Sequence, residues 1–319
     1  GVIDQMITKE DLLKKYNISE EFFEDADISW EDLECIYDDF LNKKSKKYAH
    51  ILAEFQRSYL EDTEKAGIHS YRTRLKDAEH LIVKIIRKKK ENYKKYRGLT
   101  KDNYEKFLTD LIGIRCFVLF KEQWEKFHSY IIRQFVDDPE QYIYDPVKDF
   151  DSDERHQYIA EPPKAHIRAG DSRHIYENIL PPDCIYSDKI YRSVHYIIKY
   201  HGVYLEIQVR TLFEEGWGEV EHELIYPYYR EDPMLNQFSE LLNRLAGLAD
   251  EMGSFFCKLK QMRIENLNRQ TSDSKRVDNL PETSSEPSKT VDADCFEGKA
   301  GHITGQSTLE DCLNEVVKE

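Results

Sequence analysis

Two acidic residues stand on segments that read as β-strands, where they could do metal and phosphoryl chemistry. Asp110 opens Asp110-Leu111-Ile112-Gly113-Ile114-Arg115, and Glu206 lies inside Leu205-Glu206-Ile207-Gln208-Val209-Arg210. In the second segment Leu205, Ile207 and Val209 alternate with Glu206, Gln208 and Arg210. Period-two geometry therefore gives one apolar face and one row of carboxylate, amide and guanidinium. Such a row suits a solvent-facing strand or a charged site. An acidic residue opposed to an apolar strand face is held rigidly, as a metal ligand must be. One Asp and one Glu would leave several Mg²⁺ positions for water and phosphate oxygens. Taken alone, either carboxylate also fits an ordinary structural or solvated role.

Several nucleotide-binding signals are missing. The chain has no GxxxxGK[ST] loop, no GxGxxG after a strand, no HRD or DFG pair, and no HExxH or CxxC cluster. Phosphate handling then falls to Arg and Lys side chains with a carboxylate-held Mg²⁺. The net charge of -15 disfavours nucleic acid held across a face, but the cations are concentrated. Arg87, Lys88, Lys89, Lys90, Lys94, Lys95 and Arg97 form a basic block, with Arg72, Arg74 and Lys76 just before it. A local basic site in an acidic protein suits a polyphosphate ligand, whereas Lys88–Lys90 alone suits the solvated face of a helix. No apolar run approaches bilayer length and Gly1–Glu10 lacks a signal-peptide pattern, so the expectation is a cytoplasmic protein without membrane contact. The six scattered cysteines read as free, mostly buried thiols.

The elements that would position these residues follow from periodicity. Residues 1–66 read as a helical N-terminal region, with Asp11 as a candidate cap. Gly67 breaks it, and a helix bearing Leu75, Ala78, Leu81, Ile82 and Ile85 follows. Ile112–Phe120 is the first convincing strand, then a helix around Gln123–Phe135. Residues 136–189, acidic and interrupted by prolines, read as an insertion or lid. Val194–Tyr200 and Val203–Arg210 form a hairpin through His201-Gly202. Thr211 caps a helix expected to turn Leu212, Phe213, Trp217, Val220 and Leu224 inward. A C-terminal helix occupies 231–268, its Phe238, Leu241, Leu242, Leu245, Leu248, Met252 and Phe256 read as an apolar stripe. Residues 269–319 read as a flexible linker with a short amphipathic helix at Ser307–Lys318.

Five segments in this order resemble the synthetase domain of the RelA/SpoT family. They are Arg74-Leu75-Lys76 followed by Lys84, Asp110 through Arg115, Tyr191-Arg192-Ser193-Val194-His195, Glu206 through Thr211, and Trp217 through Glu221-His222. The resemblance implies an α+β fold over residues 67–230, a mixed, mainly antiparallel nucleotidyltransferase-like sheet flanked by helices. It implies an enzyme that moves the β,γ-diphosphate of ATP to the 3′-hydroxyl of GDP or GTP, making (p)ppGpp. By the same resemblance Arg74 and Arg115 would sandwich the adenine, and Lys76 and Lys84 would contact the phosphates of ATP. Asp110 and Glu206 would hold Mg²⁺, with Glu206 also the general base. Tyr191 would stack on the acceptor base, and Lys189, His195, Gln208, Arg210 and Glu215 would line the rest of the acceptor side.

The chain departs from the family pattern in places. His80 stands where the family has Ser, and Asp188-Lys189-Ile190-Tyr191 lacks the Pro and Gly of the usual approach. Glu215 replaces a customary Asn, and the 136–189 segment is long. No His-Asp dipeptide occurs, so the hydrolase half of bifunctional members is not expected. A synthetase without it would be restrained by its own flanks or by a regulatory or antitoxin-like partner. Two alternatives accompany the main reading: a toxin-type relative that pyrophosphorylates tRNA 3′ ends or adenine nucleotides, and a catalytically silent nucleotide-sensing module.

Overall fold

The N-terminal region is helical because four short polar side chains start its helices. In the computed structural model, which describes residues 7–137, 139, 157–189, 191–224 and 232–277, these are α1 (Lys9–Lys15), α2 (Glu20–Glu24), α3 (Trp30–Asp38), α4 (Ser45–Phe55) and α5 (Thr63–Ala66). Thr8, Ser19, Ser29 and Asp62 accept backbone N–H bonds at the starts of α1, α2, α3 and α5. Thr8, not Asp11, caps α1. Asp11 sits three residues on, in the first turn, where a carboxylate meets the positive end of the helix dipole.

After Gly67, which ends α5 at φ 76°, the chain forms β1 (Ser70–Leu75) rather than continuing into a helix. The helical reading failed because the apolar positions of the following helix seemed to begin at Leu75. Helix α6 (Ala78–Glu91) begins only after Asp77, whose carboxylate accepts from the His80 N–H. Then come α7 (Tyr93–Tyr96), α8 (Tyr104–Phe107), β2 (Ile112–Val118) and α9 (Trp124–Phe135). The remaining elements are β3 (Gln157–Arg168), α10 (His174–Glu177), β4 (Ile185–Lys189), β5 (Ser193–Tyr200), β6 (Val203–Thr211), α11 (Leu212–Leu224) and α12 (Pro233–Val277).

The six strands form one mixed sheet in the order β1-β2-β6-β5-β3-β4. The β2–β6 and β3–β4 pairs are parallel and the other three antiparallel. Segment 136–189 is therefore not simply an insertion, since it supplies β3 and β4 to the sheet. Its Pro162-Pro163 misled the reading. These residues lack an N–H, and they sit where the β3–β5 register shifts between Glu161 and Lys164, a place where the ladder is already interrupted. The β5–β6 hairpin turns through His201 and Gly202, at φ 49° and 76°, the paired positive values of a tight hairpin turn.

One sheet face is apolar. Ile112, Ile114 and Cys116 of β2, Leu205, Ile207 and Val209 of β6, and Val194, Tyr196 and Ile198 of β5 are buried there. They share one core with residues of α1 through α4, α6 and α9. Cys116 and Cys184 are buried free thiols, but Cys35 is exposed. Part of the basic block serves this packing, while Lys94, Lys95 and Arg97 are exposed. Lys89 is 2% exposed, with Nζ 3.3 Å from the Leu99 carbonyl oxygen. Lys90 pairs with Asp25, and Arg87 donates to the Tyr16 carbonyl at 3.3 Å.

Both C-terminal helices bury polar residues, and of the five side chains expected inward on α11 only Trp217 is buried. On α11 the buried residues are Glu214, Glu215 and Trp217, while Leu212, Phe213, Val220 and Leu224 are exposed. On α12, Asn243, Ala246, Asp250 and Ser254 are buried, and the apolar stripe faces outward. Helix α12 also runs on past Asn268. The chain divides into two compact units, Gly1–Glu265 and Asn266–Glu319, and the sheet lies wholly in the first. The expected helix at Ser307–Lys318 lies outside the described residues. Among the described residues no helix is long and apolar enough to cross a membrane.

Candidate functional site

The face of the sheet opposite the core is a charged array fixed by strand register. Arg74 of β1 lies opposite Gly113 of β2, which lies opposite Glu206 of β6. One row over, Arg72, Arg115, Gln208, His195 and Lys164 align across five strands. Directly opposed residues share a face, so period-two alternation collects these polar groups while their neighbours enter the core. Gly113 keeps the row open. A Cβ there would stand 3.4 Å from both Cγ and Nε of Arg74.

Over this end of the face lies a cavity of about 290 Å³, whose walls include Arg72, Arg74, Arg115, Glu206, Gln208 and Glu219. Helix α11 supplies counter-charges. Nη1 of Arg115 is 2.7 Å from Oε1 of Glu215 and also pairs with Glu219, which takes Nη1 of Arg72 at 2.6 Å. The network continues through Arg210, with Nη1 3.4 Å from Glu215 and Nη2 donating to Gln208 Oε1 at 2.6 Å. Gln208 Nε2 in turn donates to Glu206 Oε2 at 3.0 Å. Arg72, Arg115 and Arg210 are thus aimed before any substrate arrives.

Asp110, just ahead of β2, forms a second centre. Its Oδ2 lies 2.8 Å from Nζ of Lys76 and 2.6 Å from Nζ of Lys84. Burial would raise the Asp110 pKa, but the two ammonium groups overcome this and hold the carboxyl well below the usual range. Lys76 moves down, because burial outweighs its attraction to Asp110. Glu206 is perturbed in the other direction. Burial and then the Asp110 charge raise its pKa, against smaller opposing effects of Lys84, the Gln208 hydrogen bond and Lys76. Two carboxylates close enough to interact are thus driven apart in pKa, a pattern associated with divided catalytic roles.

Their fit to a divalent cation can be tested on the donor atoms. Oδ1 of Asp110 is buried and has no hydrogen-bond partner among the described residues. A buried carboxylate oxygen left in this state is a ready ligand. Among the described residues no cluster of three or more His, Cys, Asp or Glu side chains could hold a metal. Two oxygen donors without such a cage suit Mg²⁺ completed by water and phosphate better than a structural ion.

The residues expected on the acceptor side lie along the same face, toward β5 and β3. Tyr191, His166 and Tyr186 form a short aromatic column, with Tyr186 stacked on His166 at 5.3 Å and Tyr191 tilted against His166 at 5.7 Å between ring centroids. Tyr186 is 37% exposed, so the column reaches the surface. Arg210 lies over the Tyr191 ring at 5.7 Å, and the His195 ring meets His166 at 4.7 Å. His195 Nδ1 is 3.6 Å from Glu206 Oε1. Burial, and then the charges of His166, Arg210 and Lys164, push His195 well below its ordinary value, so the ring is neutral at physiological pH. Lys189 ends β4, opposite Arg168 in register.

The structure thus gathers Arg74, Arg115, Glu206 and Gln208 at the cavity, links Lys76, Lys84 and Asp110 beside it, and sets Tyr191, His195 and Arg210 further along. Sequence reasoning passed over Arg72, Glu219, Lys164, His166 and Tyr186 as site residues. Arg72 shares the period-two face of Arg74, and Glu219 follows Glu215 by one helical turn, so both carried a legible signal. Lys164, His166 and Tyr186 fell within the segment read as an insertion.

Comparison with known proteins follows the same span. Residues 73–231 match the RelA_SpoT family, described as a region found in RelA/SpoT proteins. Among solved structures, a GTP pyrophosphokinase family protein from Streptococcus pneumoniae is 19% identical, with 74% of this chain and 97% of that chain covered at a TM-score of 0.46. The small alarmone synthetase 1 from Bacillus subtilis bound to its product pppGpp is 16% identical, with 73% of this chain and 98% of that chain covered at a TM-score of 0.40. No curated protein matches. The matched span contains both carboxylate centres and the strands that carry them, and residues 73–231 of this chain are accordingly a domain of the RelA/SpoT family.

Proposed function

We propose that this domain is a pyrophosphokinase that transfers the β,γ-diphosphate of ATP to the 3′-hydroxyl of GDP or GTP. The observation that carries the reading is the placing of two carboxylates: Asp110, held as an anion by Lys76 at 2.8 Å and Lys84 at 2.6 Å, and Glu206 on the wall of the arginine-lined cavity. ATP enters the cavity with its adenine between the guanidinium groups of Arg74 and Arg115, a use of planar cations that lysine could not replace. Arg115 first exchanges its contact with Glu219 for the base. Lys76 and Lys84 face the triphosphate, and their charge offsets that developing on the transferred group. Asp110 and Glu206 would hold Mg²⁺, which when bound supplies further charge neutralisation at the phosphates.

The acceptor base stacks on Tyr191, whose ring Arg210 already covers from one side. Glu206 takes the proton from the 3′-hydroxyl, whose oxygen forms a bond to the β-phosphorus of ATP. The bond from that phosphorus to the oxygen bridging to the α-phosphate breaks, and AMP leaves. Gln208 holds Glu206 in place, and neutral His195 can orient it without competing for the proton. Incubation with γ-labelled ATP and separate GDP, GTP, ATP and deacylated tRNA tests the reading. Label appearing on GDP or GTP supports it, and binding of ATP without transfer to any of the four refutes it.

A second acceptor has one observation in its favour. Tyr186, 37% exposed, carries the aromatic column of Tyr191 and His166 to the surface, and single-stranded RNA ends bind by stacking bases on exposed aromatic side chains. Label on tRNA rather than on guanine nucleotides would select this alternative.

A further inference from the structure

Helix α11 sets one carboxylate between two guanidiniums of different strands. Glu215 is 8% exposed, with Oε1 2.7 Å from Nη1 of Arg115 on β2 and Oε2 3.4 Å from Nη1 of Arg210 on β6. Arg115 is the arginine expected on the adenine. Arg210 lies over the Tyr191 ring, expected under the acceptor base, and donates to Gln208, which holds Glu206. A chain of contacts therefore runs from Arg115 through Glu215, Arg210 and Gln208 to Glu206. We propose that Glu215 couples the two nucleotide sites, so that ATP at Arg115 tightens binding of the guanine nucleotide beside Arg210. This role rests on both nucleotides binding where the proposed function places them.

The contacts along this chain are unequal. Arg115 has two carboxylates, Glu215 and the more exposed Glu219. Arg210 has Glu215 at the longer distance, and its buried Nε has no hydrogen-bond partner among the described residues. Burial, and then the charge of Arg115, act against the charge of Arg210, and Glu215 opposes both. When adenine displaces Glu219 from Arg115, Glu215 remains as the counter-ion of that guanidinium and is fixed by it. Its second oxygen then holds Arg210 in one plane over Tyr191, so ordering that the acceptor would otherwise impose is already complete. Coupling between two sites is typically about 5–150-fold, and one bridging carboxylate sets this case near the lower end, at about five- to tenfold. By linkage the acceptor tightens ATP by the same factor. Helix α11 is anchored elsewhere, because Glu214 pairs with Arg168 and accepts from the Arg192 N–H, and Arg192 pairs with Asp250 of α12 at 3.0 Å. Substitution of Glu215 should therefore leave the fold intact.

Calorimetric titration of the full chain with α,β-methylene ATP and with GDP, each alone and each with the other at saturation, measures the factor from both directions. The methylene group replaces the bridging oxygen whose bond transfer must break. The wild-type chain should show about five- to tenfold tightening in both directions. Glu215→Gln keeps the shape of the side chain but not its charge, and should reduce the factor to about one. Glu215→Asp keeps the charge but withdraws it by one carbon from both guanidiniums, and should lose the coupling too. Glu219→Gln is the control, since Glu219 meets Arg115 and Arg72 and lies off the bridge, so the factor should persist although ATP affinity alone changes. Independent binding of the two nucleotides to the wild-type chain, or coupling that survives in both Glu215 variants, overturns the proposal. Failure of either nucleotide to bind at all overturns the placing of the two sites as well.

Discussion

Replacing Arg192 with Met should destabilise the first unit strongly, and the loss should depend on pH. Arg192 is 4% exposed and Asp250 2%, and the guanidinium also meets Asp171. Its backbone N–H donates to Glu214 at 3.2 Å, and the other oxygen of Glu214 pairs with Arg168. Methionine fills much of the same volume but strands Asp250 as a buried anion. Removing one partner of a buried pair costs about 3–5 kcal/mol. Burial already raises the Asp250 pKa, with Arg192 among the groups opposing it, so in the variant the carboxyl rises further and can take up a proton. A group with a raised folded pKa binds the proton more tightly when folded, so stability falls as pH rises from the unfolded pKa through the folded one. The penalty should therefore be largest near pH 8, about 3 kcal/mol or a fall in Tm of about 6–12 °C, and smaller near pH 5.5. Urea denaturation at both pH values measures it, and adding Asp250→Leu should restore at least about 1 kcal/mol. A loss below about 1 kcal/mol, or one equal at both pH values, would refute the view that this ion cluster clamps α12 and α11 to the sheet.

Other consequences are open to simpler assays. Turnover under saturating substrates should rise with pH through an apparent pKa above the usual glutamate range, because Glu206 must be ionised to accept the proton. His195→Asn should leave that limb in place, and its disappearance would assign the limb to the histidine. Arg115→Met should weaken ATP binding by about tenfold, the loss of one stacked cation, whereas Glu219→Gln, which removes one of the two carboxylates that hold Arg115, should tighten it in calorimetric titration. Gly247→Ala should lower stability by about 1–3 kcal/mol in thermal denaturation, since a Cβ there would stand 2.6 Å from Nη1 of Arg168.

Much of this arrangement was legible in the residues, and the failures have identifiable causes. Strands β2 and β5 could be read from their runs of β-branched and aromatic residues, and β6 because one face is buried and alternation is then sharp, as at Leu205, Ile207 and Val209. The same alternation exposed Glu206, Gln208 and Arg210 as one row. Strand β1 was hidden because its burial is only intermediate and its charged residues resemble a helix start. Strand β3 was hidden by Pro162-Pro163, which count against a strand unless a register shift accommodates them. On α11 and α12 periodicity located the helices but not their orientation. Burial of Glu214, Asn243 and Asp250 depends on Arg168 and Arg192, which are distant in sequence and met only in three dimensions.

In the proposed reaction Glu206 is the group that takes the acceptor's proton, and one comparison tests this directly. Single-turnover transfer from γ-labelled ATP to GDP should slow by about 10²–10⁴-fold in Glu206→Gln, which keeps the shape of the side chain but not its basicity. ATP affinity measured on the same protein without acceptor should stay within about threefold, a difference of under about 0.7 kcal/mol. Transfer at the wild-type rate by Glu206→Gln would contradict the assignment.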